Sequence, residues 1–217
     1  MSDLYLKQIP VGPMQNFTYL VGSRSAKECL AVDPAWEIDA LTQVAQADGM
    51  KITGALVSHY HPDHCGGHLW GHDIAGVAEL IGRQPMPVYA HVDEVPGILH
   101  VTGLSKSDVK PCRGGDKIKV GGVDITLLHT PGHTPGSQCF LCKDGAHDSL
   151  ISGDTLFLTG CGRTDLPGGS GKGQIGGSSS SGGWLRDFLG LKPVSSAKGL
   201  EGVNSELASA VQKAIAE

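Results

Sequence analysis

The chain has 217 residues, 40% of them hydrophobic and 18% charged, with a formal net charge of −5 at pH 7. Length and composition suit one packed domain of ordinary make-up, and the acidic balance gives no footprint for nucleic acid. No apolar run reaches membrane-spanning length, and no basic-then-apolar signal pattern opens the chain. A cytoplasmic location and a small-molecule partner, with neither nucleic acid nor membrane, are therefore expected.

Short strands are expected over Leu4 to Ile9, Phe17 to Val21 and Cys29 to Val32, with breaks at Pro10 to Pro13 and Gly22 to Lys27. Asp33-Pro34 reads as a helix start, Asp33 as N-cap and the proline at the first position. Ile38, Leu41, Val44 and Ala45 supply its apolar stripe, and Gly49 suits its C-terminal cap. The apolar run Ile52 to Val57 is a buried strand, so strand, helix and strand form a βαβ unit of a layered α/β fold.

That strand runs into Ser58-His59-Tyr60-His61-Pro62-Asp63-His64, which packs three histidines and a carboxylate into six residues. Alternation puts His59 and His61 on one side while the chain is extended; Pro62 then turns the backbone and aims Asp63 and His64 elsewhere. Two ligand pairs a few ångströms apart suit a two-metal site. Imidazole with carboxylate suits zinc, with iron or manganese as alternatives. Cys65 follows directly and is expected to pack rather than ligate.

Gly66-Gly67-His68 is expected to lead into a second helix whose face carries Ile74, Val77, Ala78 and Ile81, with His68 and His72 facing each other near its start. Pro87 to His91 reads as a strand; His91 and His100 are taken as structural. Lys117 to Val120 and Val123 to Leu128 form a hairpin around Gly121-Gly122. It leads into His129-Thr130-Pro131-Gly132-His133-Thr134-Pro135-Gly136, where prolines and glycines build a rigid loop. His133, inside the turn, is favoured as ligand over His129. Gln138 to Leu141 and Ser149 to Ser152 are further strands, the second ending in Gly153-Asp154-Thr155, which exposes Asp154 as a bridging carboxylate. The six cysteines are scattered, and the Cys139/Cys142 pair lies in a strand, where residues three apart face opposite ways; both read as small core residues.

The series His59-x-His61-x-Asp63-His64, His133 in a Thr-Pro-Gly-His-Thr turn, and Asp154 in Gly-Asp-Thr-Leu-Phe resembles the metallo-β-lactamase superfamily. Gly160-Cys161-Gly162-Arg163-Thr164-Asp165 is similar to its glyoxalase II-like branch, the hydroxyacylglutathione hydrolases and their relatives. The resemblance implies an αββα four-layer sandwich over residues 1–167 with metals at one edge. His59, His61 and His133 would hold the first ion, Asp63 and His64 would help hold the second, and Asp154 would bridge them. Asp33 matches an aspartate close to the site. The implied activity is metal-dependent cleavage of a thioester or related acyl bond. Water between two divalent ions becomes the nucleophile, and Asp63 orients it and passes a proton to the leaving group.

The dinuclear members supply one more histidine late in the chain, whereas here no histidine lies beyond His147; partial occupancy of the second position is expected. Residues 168–183 are a Gly/Ser-rich stretch that reads as an inserted flexible linker in an engineered or rearranged chain. Residues 184–217 read as helical and packing on the core. The alternatives are a mononuclear iron persulfide dioxygenase-like oxygenase built on His59, His133 and Asp154, a β-lactam hydrolase, and a metal-binding scaffold with impaired catalysis.

Overall fold

The computed structural model describes residues 2–143, 148–157 and 160–170. The linker expected over 168–183, apart from its first three residues, and the helical segment at 184–217 lie outside the described residues.

The chain opens with strands β1 (Leu4–Val11), β2 (Asn16–Ser23) and β3 (Glu28–Val32), which pair antiparallel in sequence order. Helix α1 (Ile38–Ala47) crosses over to β4 (Lys51–Val57), which lies parallel to β3. After a one-turn helix α2 (Pro62–Cys65) come the short strands β5 (Gly67–Leu69) and β6 (His72–Ile74), helix α3 (Val77–Arg83) and strand β7 (Val88–His91). Helix α4 (Val95–Thr102) returns the chain to β8 (Val109–Cys112). The remaining strands are β9 (Lys117–Val120), β10 (Val123–His129), β11 (Gln138–Lys143) and β12 (Asp148–Ile151). A mixed sheet of order β1-β2-β3-β4-β7-β8 faces an antiparallel sheet of order β12-β11-β10-β9.

Side-chain alternation builds two apolar layers around the mixed sheet. Leu20, Cys29, Ala31, Ala55 and Val57 point to one face, where they meet Ile38, Leu41, Val77, Leu80 and Ile98 from the helices. Their neighbours Val21, Leu30, Val32 and Leu56 point to the other, against Ile125, Leu127, Phe140 and Ile151 of the second sheet. Strands buried on both faces read as continuous apolar runs, as β3 and β4 do. Helix, sheet and sheet are thus stacked in order, and the second helical layer of an αββα sandwich is not among the described residues.

Two sequence expectations change. Asp33 does not cap a helix: Asp33 and Trp36 have φ of 49° and 68°, which no right-handed helix admits. Their amides donate to Leu56 and Ala75 carbonyls, and α1 starts at Ile38 behind Glu37. His68 and His72 do not begin a helix. They lie on the β5/β6 hairpin, where His68 pairs with Asp73 and both histidines are exposed, so neither reaches the site. Its turn is Trp70-Gly71, with φ of 50° and 84°, a pair the helical reading overlooked. Helix α4 and strand β8 carry weak patterns and were not expected from the sequence.

Candidate metal centre

The carboxyl ends of β3, β4 and β7 point to one edge of the sandwich, the place where open α/β sheets gather functional groups. The end of β10 and the turn after β12 reach the same edge from the second sheet. From β4 come Ser58, His59 and Tyr60. His61 then gives its carbonyl to the amides of His64 and Cys65, and Pro62 occupies the first position of α2, which needs no amide donor. This turn reverses the chain and delivers Asp63 and His64 beside His59. The Cys65 thiol is buried and bonded to the Tyr60 and His61 carbonyls, and burial holds it well above its ordinary pKa, as packing requires.

The six predicted residues come together. Ligand atoms of His59, His61 and His133 lie within 4.8 Å of one another, as do those of His59, His64 and Asp154. His133 Nε2 is 2.9 Å from His61 Nδ1 and 3.3 Å from Asp154 Oδ2, while Asp154 Oδ1 is 3.1 Å from His64 Nε2. Asp63 Oδ2 stands 3.5 Å from His64 Nε2. His129 faces elsewhere: its Nε2 donates to the Pro135 carbonyl and its ring stacks on His91 at 3.9 Å, 12° from parallel. His91, Asp93 and His129 have ligand atoms close together, but the in-plane lone pairs of stacked rings run alongside one another instead of converging. They form a packing pair that ties the ends of β7 and β10.

Neighbouring groups dictate which ring nitrogens carry hydrogen. Asp33 accepts from the Ser58 amide and hydroxyl, each at 2.6 Å, and from His64 Nδ1 at 3.0 Å. With its own hydrogen given to Asp33, Ser58 Oγ accepts from His59 Nδ1 at 3.0 Å. His133 Nδ1 donates to the Arg163 carbonyl at 2.7 Å. Such partners leave the opposite nitrogens of His59 and His133 as lone pairs and fix their direction. Asp33 is thus a positioning group shared by two of the histidines.

Burial, with repulsion from His64, His61 and His133, holds His59 well below its ordinary pKa. Burial and His133 lower His61 to about 4. Burial also opposes a charge on His64, but its bonds to Asp154 and Asp33 outweigh that and hold the ring well above its ordinary value. Asp154 is pushed up by burial, yet the bond to His64 and the nearby histidines keep it lowered. The hydrogen that His64 Nε2 turns to Asp154 is the one a cation would displace on binding there.

A divalent ion fits these residues. His59 Nε2 is buried and has no hydrogen-bond partner among the described residues, a costly state for a polar atom that an ion among the surrounding rings would relieve. Ligand atoms of His59, His61 and His133 lie within 4.8 Å of one another, and nitrogen with carboxylate oxygen is the donor set of zinc and iron.

Three participants have no motif in the sequence. Asn16, at the start of β2, donates to Asp63 Oδ2 at 2.8 Å and to the Asp63 carbonyl at 3.2 Å. Trp36 Nε1 donates to that same carbonyl. Glu94, fully buried, accepts from the loops carrying His61 and His133. Only the pairing of distant loops reveals them.

The metallo-beta-lactamase superfamily profile matches residues 11–195. The chain is 33% identical over 175 residues to a probable metallo-hydrolase, YqgX, of Bacillus subtilis (strain 168), covering 76% of this chain and 77% of that protein. It is 37% identical over 137 residues to the hydroxyacylglutathione hydrolase of Dechloromonas aromatica (strain RCB), 63% of this chain but 43% of that longer protein. The solved structure of TTHA1623 in a di-iron-bound form superposes with a TM-score of 0.61 at 28% identity, covering 91% of this chain and 98% of that one. With motif, sandwich and cluster in agreement, the chain belongs to the metallo-β-lactamase superfamily, on the side of its glyoxalase II-like members.

Proposed function

We propose that this protein is a metal-dependent hydrolase that cleaves a thioester or related acyl bond of a small molecule in the cytoplasm. The observation that carries the reading is His59 Nε2, buried and without a partner among the described residues, beside His61, His133, His64 and Asp154. His59, His61 and His133 would hold one ion, and His64, Asp63 and Asp154 would hold a second less tightly. Zinc suits this set, and iron or manganese can share it. When bound, the metal supplies Lewis acidity and lowers the pKa of water.

The rest falls to the chain's own side chains. Asp63 is partly exposed, and Asn16 holds one of its carboxylate oxygens, so it can take a proton from the attacking water and return it to the leaving group. Asp33 and Ser58 keep the histidines turned inward. A thiolate is a good leaving group, which favours a thioester over an amide. No helix among the described residues is long and apolar enough to cross a membrane.

The test is hydrolysis of S-lactoylglutathione and of a simpler thioester by protein loaded with zinc, with elemental analysis in parallel. Turnover is expected to vanish with chelator and to fall by about 10²-fold or more in His59→Ala and Asp154→Ala. Metal-loaded protein that hydrolyses no thioester, ester or lactam would sink the reading. The 3.3 Å approach of His133 to Asp154 also suits a mononuclear iron site with His59. Oxygen uptake with a persulfide, in place of hydrolysis, would identify that alternative.

A further inference from the structure

Glu94 lies between β7 and α4 with none of its surface exposed. Its carboxylate has no ion pair among the described residues; instead it takes three hydrogen bonds from two separate loops. Oε2 accepts from the Tyr60 amide at 2.7 Å. Oε1 accepts from the Thr134 hydroxyl at 2.8 Å and from the Gly136 amide at 2.6 Å. Tyr60 stands between His59 and His61, and Thr134 directly follows His133. A side chain at position 136 would drive its Cβ to 2.8–2.9 Å from the Glu94 backbone and carboxylate, so glycine is what lets the loop approach. Ser137 completes the clamp by bonding the Thr134 amide and hydroxyl.

An uncompensated buried carboxylate is costly, and a cheaper residue would serve if packing were its only task. A carboxylate is the short side chain that offers two acceptor oxygens and no donor, which is what three converging donors require. We propose that Glu94 is a positioning residue that sets the separation of His61 and His133 and thereby the affinity of the centre for its ion. The inference rests on the metal-centre reading above. It adds a residue that touches neither ion nor substrate and acts through the backbone of both ligand loops.

The experiment uses the full chain and Co²⁺ as probe, with affinity from chelator competition and geometry from the visible absorption bands. Glu94→Gln keeps one acceptor for Thr134 and Gly136 but turns an amide N–H₂ against the Tyr60 amide. It is expected to weaken Co²⁺ binding about 10-fold or more and to alter the absorption bands. Thr134→Val removes one of the three bonds and is expected to weaken binding by a smaller factor. Ile98→Val, a core change on α4, is expected to lower thermal stability while leaving Co²⁺ affinity within about twofold. The proposal is overturned if Glu94→Gln binds Co²⁺ as tightly as wild type, or if Ile98→Val weakens binding as much. Should Glu94→Gln not fold, unchanged affinity and bands in Thr134→Val overturn it. Wild-type protein that takes up no Co²⁺ would overturn both this proposal and the functional reading; wild-type uptake with unaffected variants would overturn this one alone.

Discussion

Asp33 shows how much one side chain can decide. It receives bonds from the Ser58 amide and hydroxyl and from His64, and it does so from a left-handed backbone conformation. Strain of this kind persists where surrounding contacts enforce it. Asp33→Asn leaves one acceptor oxygen for three donors, so zinc affinity is expected to drop 10–100-fold, measured by competition with a chelator, with a smaller loss of folding stability. His91 gives a pH prediction. Burial first, then the neighbouring His129, holds it at about 4, with Asp93, Arg113 and Asp116 also close by. An unfolded imidazole titrates near 6.5, so between these values the unfolded chain binds a proton that the folded one refuses. Stability of the metal-free protein is therefore expected to fall as pH drops from about 6.5 to about 4. Denaturant midpoints across that range should fall less steeply in His91→Gln.

Among the elements, the turn after β12 and the segment 160–163 make one unit. Gly162 donates its amide to the Asp154 carbonyl at 2.9 Å, and a Cβ there would lie 2.0 Å from that oxygen and 3.1 Å from His133 Nδ1. Gly162→Ala must therefore displace Asp154, His133 or both. Zinc affinity and kcat are expected to fall by at least 10-fold, with far less change in thermal stability of the metal-free chain; equal affinity would show that the two segments move independently. This is also the scale at which sequence and structure part company. β3 and β4 are plain in the sequence because strands buried on both faces are unbroken apolar runs. His59 to His64 are plain because they follow such a run, and His133 and Asp154 because each sits in a glycine-bearing turn just after a strand. The β5/β6 hairpin was misread because Ile74, Val77, Ala78 and Ile81 keep a helical spacing across a strand and a helix, while the Trp70-Gly71 turn is short. Asp33-Pro34 imitates a helix start in composition, and only its pairing with Ser58 and His64 shows its task. Glu94 and Asn16 were invisible, since each acts on a partner more than thirty residues away.

For the whole molecule, the centre joins two sheets that otherwise meet mainly through apolar side chains, with Gln138 of β11 donating to the Val57 carbonyl of β4. A ligand that binds only the folded state stabilises it by mass action, about 2.7 kcal/mol at 100 times its dissociation constant. For a chain of this size that amounts to a rise of roughly 5–10 °C in melting temperature. Zinc added to chelator-treated protein is expected to produce such a shift, and His59→Ala to remove it. Elemental analysis is expected to return more than one but fewer than two ions per chain, because the second position proposed above would draw on one histidine and two carboxylates; a full complement of two would overturn that count.

The order in which the donors are made also matters. Synthesis releases His59, His61, Asp63 and His64 long before Asp154, about 95 residues later. A cation captured by the early group alone meets floppy imidazoles, for which copper outcompetes zinc and iron. Only when the last strand docks does the cage acquire its shape. Selection of the ion thus waits until the Asp154 turn has been made and docked, when geometry rather than raw avidity makes the choice.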